Sequence, residues 1–540
     1  MVQVVSTPKT DKVIRRIAAS SSALWAETHL RLETGQPWSF KDHIYEIEPM
    51  TIVAPKISIK KASQLGMTLV FIGKALWAMV TGKTPAGVIV LFPTDKKVTE
   101  FSETRWTPFL RTNAAYLQRW VKSTNNKHNK RIRNANLMFR GARTTQRIGG
   151  IANESAALRS DPADVIVRDE SDLHPPAAHE MALGRMLHSE LQWDWSLSNP
   201  TIPGYGIDAE FEAGDQRYWM IRCAACNQWW APDYEFPTIL RRQSDGTVHL
   251  ACLKCGKRLD PNVGEWLAFH PERSKDHVSY MMSQMIRPQK DLRHLLDAYE
   301  NPPDGDLANV MRFKFGRAYI DSSMALSSEA VLLCCTTETM WTKGVRTAIG
   351  VDVGPHHLHC VIGRRLSEDA YQVGALAMVQ DWEQLSNLFR QFGCEVASID
   401  NEPEVHMARE FQSKQRAEVW LSDYIHTTRG YQYDQAQRVI RCSRNEILDE
   451  THYRLSTAGK LRLPAVNSMV KDFAAQCANL CKVVEKKPGT GDPIVIYVQR
   501  GRDHWRHALA NFLLAARRQH GTVEAHETGP RSNQGFTLFE

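Results

Sequence analysis

Two short apolar runs of this chain end in carboxylates. The first is Val-Ile-Val-Arg-Asp-Glu, ending at Asp169 and Glu170, and the second is Ala-Ile-Gly-Val-Asp, ending at Asp352. Each run predicts a buried strand that delivers acid to its C-terminal end, the edge at which open α/β sheets bind ligands and metal ions. Because the runs lie far apart in the chain, they predict two α/β domains with separate acid-dependent sites.

Bulk properties set broad limits on the class of protein. With 540 residues, 43% of them hydrophobic, the chain can form two or three domains, and its net charge of +7 is compatible with nucleic acid without establishing it. The N-terminus lacks the apolar core of a signal peptide, and no run of eighteen uncharged apolar residues follows. We therefore expect a cytosolic protein with no membrane association.

The alternation of strand-like and helix-like segments predicts the domain organisation. The boundaries are an N-terminal helical segment at 1–35, a mostly parallel α/β domain at 36–335 with an insertion at about 220–260, a second α/β domain at 336–519, and a mobile tail at 520–540. Predicted strands of the first domain are 51–54, 88–92, 136–139, 164–167 and 194–197, and its helices are 69–79, 96–110 and 177–187. The second domain should open with strands at 347–353, 359–364 and 370–377, then a helix at 382–392 and a strand at 396–400.

A small-residue loop follows the predicted strand at 56–59. Its residues are Lys61, Ala62, Ser63, Gln64, Leu65, Gly66, Met67 and Thr68, just before a predicted helix. Such a loop points several backbone N–H groups at one spot, which favours a phosphate. The usual P-loop ends in Gly-Lys-Ser/Thr, but Met67 stands at the lysine position, so Lys61 would have to supply the cation. A polar strand-to-helix turn is the alternative interpretation of this segment.

The acidic pair favours the phosphate interpretation. Asp169 stands where a Walker B carboxylate would hold Mg²⁺ together with Thr68, and Glu170 follows where a base could activate the attacking water. The loop and the acids together predict an ATP hydrolysis site.

These motifs resemble those of the large terminase subunits of tailed bacteriophages, in particular the lambda-like GpA type. The family is similar in its deviant Walker A motif, whose lysine begins the loop as Lys61 does, and in its Asp-Glu Walker B motif. The resemblance extends to residues 91–95, 158–160 and 198–201, the last of which looks like the family's coupling motif. It implies a P-loop ATPase domain of the ASCE type, with ATP bound by Lys61, Ser63, Gln64, Leu65, Gly66, Met67, Thr68 and Asp169.

Two Cys-x-x-Cys pairs predict a metal site rather than disulfides. Cys223, Cys226, Cys252 and Cys255 have the form of a zinc ribbon, in which four thiolates close a structural Zn²⁺ site. Similar pairs follow the coupling motif in GpA-type terminases.

The second acidic run begins a unit that looks like an RNase H-like nuclease fold. There Asp352 and Asp400, on neighbouring strands, would bind two divalent ions, Mg²⁺ or Mn²⁺, that support phosphodiester cleavage. The third ligand is either Asp503 or His507, which share one face of a predicted helix; a helix N-cap is the alternative role of Asp503. The histidines at 356, 357 and 359 are interpreted as a surface cluster.

A basic region at 111–147 offers an arginine finger, although most of its charges should lie on a solvated or DNA-facing surface. These charges are Lys127, Lys130, Arg131, Arg133, Arg140, Arg143 and Arg147.

The combined hypothesis is an ATP-driven motor that moves double-stranded viral DNA into a procapsid and an endonuclease that cuts concatemers. The resemblance implies a portal protein, a small terminase subunit and a homo-oligomeric ring as partners, in the host cytoplasm and outside the mature virion. The alternatives are a helicase-like remodelling ATPase with a non-cleaving RNase H-like module, and a zinc-containing DNA-binding scaffold.

Overall fold

The computed structural model describes residues 20–143, 147–148, 151–152, 161–320, 326–344, 346–425, 430–486 and 493–519. The chain divides into two compact units, residues 1–320 and 321–540. Most of the predicted N-terminal segment, the motif at 158–160 and the predicted tail at 520–540 lie outside the described residues.

The first unit contains both helices and strands in alternation. Its helices are α1 Ser22–His29, α2 Ile47–Thr51, α3 Met67–Thr81, α4 Asp95–Phe101, α5 Thr107–Thr112, α6 Ala114–Leu117, α7 Pro176–Leu183, α8 Gly206–Ala213, α9 Pro232–Glu235, α10 Arg293–Glu300 and α11 Leu307–Phe315. Its strands are β1 Lys56–Lys61, β2 Val88–Thr94, β3 Val121–Asn125, β4 Asn129–Ile132, β5 Ala135–Arg143, β6 Arg147–Ile148, β7 Ile151–Ala152, β8 Val165–Asp169, β9 Trp193–Ser198, β10 Arg217–Arg222, β11 Trp229–Trp230, β12 Leu240–Arg242, β13 Val248–Leu250, β14 Gly264–Ala268 and β15 His277–Met282.

One large sheet organises this unit. Among the described strands its order is β11-β10-β15-β1-β9-β8-β2-β5-β4-β3, with β14 paired to β10. The central strands β15, β1, β9, β8, β2 and β5 are parallel. All residues of β8 and β9 are buried, as expected for central strands covered on both faces. Strand β9 therefore lies between β1, which leads into the small-residue loop, and β8, which ends in Asp169.

A buried ion pair joins β8 to its neighbours. Arg168 donates from Nε and Nη2 to the two oxygens of Asp194 on β9, at 2.8 and 2.7 Å. Its Nη2 also lies 2.9 Å from Oε1 of Glu210 on α8. These contacts hold the pKa of Glu210 down to about 2 despite its burial, with Arg168 as the main favourable partner. The network fixes β8 against β9 and α8.

Most predicted elements of this unit are confirmed, and one is wrong. The expected strand at 51–54 is instead the end of α2 and an extended lead into β1, and Thr51 Oγ1 donates to Ile47 O within the helix at 2.9 Å. A short apolar run does not distinguish a strand from a buried helix end by periodicity. The predicted helix at 96–110 exists but contains a π-helical turn, Ser102–Trp106, between α4 and α5.

The second unit has a second mixed sheet. Its helices are α12 Ser328–Leu332, α13 Trp382–Gln391, α14 Val405–Lys414, α15 Arg444–Ser456, α16 Ser468–Ala478 and α17 His504–Ala516. Its strands are β16 Thr347–Val353, β17 Leu358–Ser367, β18 Ala370–Val379, β19 Cys394–Asp400, β20 Glu418–Tyr424, β21 Tyr431–Asp434, β22 Val439–Cys442, β23 Leu461–Arg462, β24 Leu480–Lys486 and β25 Pro493–Gln499.

The order of the second sheet is β21-β22-β20-β19-β16-β17-β18-β23, with β24 and β25 forming a separate antiparallel pair. Strands β16, β17 and β18 are antiparallel, whereas β19 pairs parallel to β16. The predicted sequence of three strands, a helix and an acidic strand is confirmed.

Helix α17 packs directly on the central strand β16 at Gly350. A Cβ atom at this glycine would overlap the backbone of α17, at Ala508 O and Phe512 N. Asn511 Nδ2 donates to Val351 O at 2.9 Å, and its Oδ1 accepts from Ser398 Oγ on β19 at 3.1 Å. The glycine and the asparagine together fix the height of α17 above β16 and β19.

We expect Gly350→Ala to lower the free energy of unfolding by about 2–3 kcal/mol, because the new methyl group must push the helix backbone away from the strand. Denaturant unfolding followed by circular dichroism measures this. Gly184→Ala is the control, since a Cβ there meets nothing within 4 Å. Equal stability of the two variants would contradict the close packing.

Candidate active sites

The loop after β1 is held by backbone contacts at its start. Ala62 N donates to Met282 O at 2.7 Å, and Ser63 N donates to Phe313 O at 2.9 Å. Gln64 and Gly66 have φ angles of 62° and 74°, and Gly66 immediately precedes α3. A Cβ at Gly66 would lie 2.8 Å from Glu46 Oε1, so glycine suits both the backbone conformation and the space. The loop thus turns sharply onto a helix N-terminus.

Four predicted residues converge beside this loop. Thr68 Oγ1 donates to Asp169 Oδ2 at 3.0 Å. The ammonium of Lys61 is buried; desolvation lowers its pKa, while the carboxylates of Asp169 and Glu170 act in the opposite direction. Burial raises the pKa of Asp169 to about 6, and Lys61 and Thr68 oppose this. The lysine at the start of the loop therefore interacts electrostatically with the acids at the end of β8.

Glu170 adopts a left-handed backbone conformation with φ of 54°. Its N–H donates to Asp169 Oδ1 at 3.1 Å, and its side chain is partly exposed. Positive φ is uncommon for a non-glycine residue and clusters at functional sites. The turn places the two acids in different environments, one buried against Thr68 and one open to the cavity.

A cavity of about 370 Å³ contains this cluster. Its lining includes the loop, the acids, and Phe92 and Phe101, whose ring centroids are 4.8 Å apart. The lining residues outside the loop and the acid pair are Glu33, Leu69, Ile72, Phe92, Lys97, Glu100, Phe101, Thr104, Arg105, Trp106 and Phe109. A cavity of this size with polar and aromatic lining residues suits a nucleotide.

The predicted coupling motif connects the loop to the acidic strand. Asn199 Nδ2 donates to Lys61 O at 2.9 Å, and Ser63 Oγ donates to Asn199 Oδ1 at 3.4 Å. At the other end, Thr201 N and Oγ1 both donate to Asp172 Oδ2 at 2.9 Å. Sequence reasoning missed Asp172, which also accepts from Ile207 N at 2.7 Å. Its position two residues after Glu170 could have indicated that Asp172 belongs to this site.

We expect Asp172→Ala to lower the free energy of unfolding by about 3 kcal/mol, because three donors lose their buried acceptor. It should also slow ATP hydrolysis roughly tenfold, by about 1.4 kcal/mol, since Thr201 is no longer fixed. Denaturant unfolding and phosphate release measure the two effects. Asp276→Ala, at an exposed aspartate, is the control; a variant indistinguishable from it would contradict the anchoring role.

The predicted basic surface is only partly a surface. Lys130 and Arg140 are buried, and Lys130 Nζ donates to Ser102 Oγ at 3.1 Å. Arg140 Nη2 donates to Asp161 Oδ2 at 2.7 Å. These two residues are structural because strands β4 and β5 turn them inward, whereas Lys127, Arg131 and Arg133 are exposed. The side chains of Arg143 and Arg147 are outside the described part of the structure.

The four predicted cysteines form a compact cluster. Cys223 Sγ lies 3.6 Å from Cys255 Sγ, and Cys226 Sγ lies 3.5 Å from Cys252 Sγ. Four sulfurs bound to one Zn²⁺ at about 2.3 Å would lie about 3.8 Å apart, so the donor set fits this ion. Each pair is followed by a residue of positive φ, Asn227 and Gly256, whose N–H bonds back to the first cysteine. The two turns are therefore alike.

We expect one tightly bound zinc per chain, and a loss of zinc together with a lower melting temperature in Cys226→Ser. Metal analysis by mass spectrometry and thermal unfolding test this. Cys335→Ser is the control, because Cys335 is a free cysteine outside the cluster. Zinc content unaffected by Cys226→Ser would contradict the assignment.

The second unit brings its predicted acids together at one sheet edge. Parallel pairing of β16 and β19 places Val351 opposite Ile399, and Asp352 and Asp400 each follow by one residue. Burial raises the pKa of Asp400 to about 7, and the nearby charge of Asp352 adds to this, whereas His507 lowers it. The two carboxyls thus form a closely interacting pair.

Helix α17 supplies the predicted third-ligand candidates. His507 Nε2 lies 3.4 Å from Asp503 Oδ2, and Gln499 Nε2 donates to Asp503 Oδ1 at 2.9 Å. Asp503 occupies the N-cap position, but its side chain makes no capping hydrogen bond. Of the two candidates, His507 interacts electrostatically with Asp400, whereas the contacts of Asp503 are with Gln499 and His507.

Two histidines that sequence reasoning did not assign lie at the same edge. His504 Nδ1 is 2.8 Å from Asp352 Oδ2. His359 is buried rather than on the surface, because it lies opposite Asp352 on β17; the exposed neighbours are His356 and His357. The signal was available in the pairing of 352 with 359 across a short turn.

A family model described as phage terminase large subunit gpA, ATPase domain, matches residues 36–267. Residues 36–267 are thus similar to the ATPase domain of phage terminase large subunits. No curated protein matches it significantly.

One solved large terminase shares the fold of this chain. The HK97 bacteriophage large terminase matches at a TM-score of 0.53 and 10% identity, covering 92% of this chain and 99% of that one. A large terminase from a thermophilic bacteriophage is 12% identical and covers 88% of this chain and 98% of its own, at a TM-score of 0.32.

The predicted likeness to a terminase ATPase domain is confirmed over residues 36–267, and the likeness to the HK97 structure confirms the predicted α/β fold. Within the described ranges, no helix of this chain has the length and apolarity to span a membrane.

Proposed function

We propose that Lys61, Thr68, Asp169 and Glu170 form the ATP hydrolysis site of this terminase. The observation that carries the proposal is their convergence on one cavity within the gpA-type ATPase domain. Lys61 contacts the β- and γ-phosphates, and the backbone of Ser63, Gln64, Leu65, Gly66 and Met67 surrounds them. When bound, Mg²⁺ held by Thr68 and Asp169 would neutralise developing phosphate charge.

Glu170 is the base that orients and deprotonates the attacking water. Its partial exposure suits this role, whereas the burial of Asp169 against Thr68 suits a ligand. Departure of the γ-phosphate changes the charge next to Lys61, and Asn199 is bonded to the carbonyl of that lysine. Residues 198–201 then pass the change to Asp172, which links the nucleotide state to DNA movement.

The nuclease site consists of Asp352 and Asp400 with Asp503 or His507 as the third ligand. The carboxylates are placed by adjacent parallel strands, and the third ligand by α17. When bound, two Mg²⁺ or Mn²⁺ ions would activate water and stabilise the leaving oxygen of a phosphodiester. The carboxylates would hold these ions at one sheet edge, and the ions would bind the cleavable phosphate there.

Cys223, Cys226, Cys252 and Cys255 hold a structural Zn²⁺ in this proposal. Four sulfur ligands leave no open position for chemistry. The site stabilises the segment between β10 and β14, two strands of the large sheet; this segment includes the separate pair β12 and β13.

The substrate is double-stranded viral DNA, gripped mainly through its phosphates, so that binding weakens steeply with salt. The partners are a portal protein, a small terminase subunit and further copies of this chain in a ring. Packaging takes place in the host cytoplasm, and the subunit leaves before the virion matures.

Two isosteric variants separate the two activities. Glu170→Gln should lower DNA-stimulated ATP hydrolysis by roughly 10²–10⁴-fold while ATP binding and DNA cleavage persist, because only the base is lost. Asp352→Asn should abolish cleavage while ATP hydrolysis persists. Phosphate release and plasmid cutting by the full chain measure these effects.

The matched controls are Glu180→Gln and Glu368→Gln, at exposed acids in the respective units. A wild-type chain that hydrolyses ATP but never cuts DNA would favour the helicase-like remodeller. A chain without ATP hydrolysis would contradict the motor and favour the DNA-binding scaffold.

A further inference from the structure

Three side chains at the nuclease edge form a second ligand set, which shares Asp352 with the carboxylate pair. Asp352 and His359 lie directly opposite each other on antiparallel β16 and β17, so both face the same side of the sheet. His504, at the start of α17, places Nδ1 2.8 Å from Asp352 Oδ2. One potential ligand atom from each residue lies within 4.8 Å of the other two.

His359 indicates a bound cation because one of its ring nitrogens is buried without a hydrogen-bond partner among the described residues. Its side chain is buried with 7% relative exposure, and its Nδ1 finds no hydrogen-bond partner among the described residues. The ring stacks on that of His504 at a centroid distance of 4.8 Å and 16° between planes, and meets Trp505 edge-on. A buried polar atom left unpaired destabilises the fold, and metal coordination would remove this penalty.

The spacing is close to that of a coordinated ion. His504 Nδ1 and Asp352 Oδ2 are 2.8 Å apart, near enough to be adjacent ligands of one ion. The ligand atom of His359 lies within 4.8 Å of both.

The position of His504 is fixed by the packing of α17 against β16. Ala508 and Phe512 of α17 pack on Gly350, and His504 lies one helical turn before Ala508 on the same face. Asp352 is two residues beyond Gly350 and shares its side of the strand. A Cβ at Gly354 would lie 3.3 Å from His504 Cε1, so the turn after β16 closes over the imidazole.

We infer that Asp352, His359 and His504 bind a divalent transition-metal ion, Mn²⁺ in preference to Mg²⁺. Imidazole nitrogens favour Mn²⁺ and later transition metals, whereas Mg²⁺ prefers oxygen. Asp352 is then shared between a nitrogen-rich environment on the β17 side and an oxygen-rich environment on the β19 side, where Asp400 lies. The inference rests on the proposed nuclease site and deepens it, but it concerns ion binding and is testable without DNA cleavage.

The test uses the full-length, chelator-treated chain titrated with Mn²⁺ alone. Pulsed electron paramagnetic resonance should detect ¹⁴N coupling from two imidazoles in the wild type, from one in His504→Gln, and from none in the His359→Gln/His504→Gln double variant. Mn²⁺ affinity by calorimetry should fall by about 10–100-fold in His504→Gln. Mg²⁺ affinity should change by less than about threefold, because oxygen ligands remain.

The controls separate this site from its neighbours. His356→Gln, at an exposed histidine of the same turn, should leave the coupling intact. The four-cysteine cluster contributes no imidazole signal. His504 has a side-chain exposure of 29%, so His504→Gln alone gives the answer if the variant at buried His359 does not fold.

Either of two results overturns the inference. One is Mn²⁺ bound by the wild type without ¹⁴N coupling, and the other is two-imidazole coupling that is unchanged in His504→Gln but reduced in His507→Gln. Cleavage lost in Asp352→Asn under either result would leave the proposed nuclease standing while removing the nitrogen-rich site. A wild-type chain that does not cleave DNA but shows the ¹⁴N coupling would contradict the proposed nuclease and leave the nitrogen-rich metal site standing.

Discussion

Parallel pairing of neighbouring strands is the constraint on which both sites depend. In the first unit, β1, β9 and β8 run side by side, so the loop after Lys61, the motif at 198–201 and the acids after β8 all emerge at one edge. In the second unit, β16 and β19 bring two aspartates to their common end. Neither arrangement needs residues that are close in sequence, because the hydrogen-bond register sets the spacing.

The arrangement of residues at each sheet edge also depends on the helix that packs beside that edge. In the first unit a helix starts at Met67 directly after the glycine of the loop, so its N-terminus faces the acids. In the second unit a helix from the end of the chain lies against the central strand through Gly350 and Asn511. The first site therefore depends on a turn, and the second on close helix–strand packing.

Much of this was predictable from sequence, for identifiable reasons. Buried parallel strands are nearly continuous apolar runs, so β2, β8 and β16 were recognisable, and Asp169 and Asp352 followed from their positions at strand ends. His359 was misassigned because its burial depends on pairing with β16, which local composition does not reveal. The prediction that Lys130 and Arg140 lie on a surface was wrong for the same reason. Their tertiary partners, Ser102 and Asp161, are distant in sequence or unmarked by any motif.

Asn511 has a consequence beyond holding a helix in place. By bonding to the backbone of β16 and to Ser398 of β19, it fixes the separation of Asp352 and Asp400 before any cation arrives. Burial and the charge of the neighbouring Asp352 together raise the pKa of Asp400 to about 7. Near neutral pH about half of the metal-free pairs would therefore carry a proton, and a divalent cation bound as proposed would displace it. Cation binding at this centre would then be coupled to proton release.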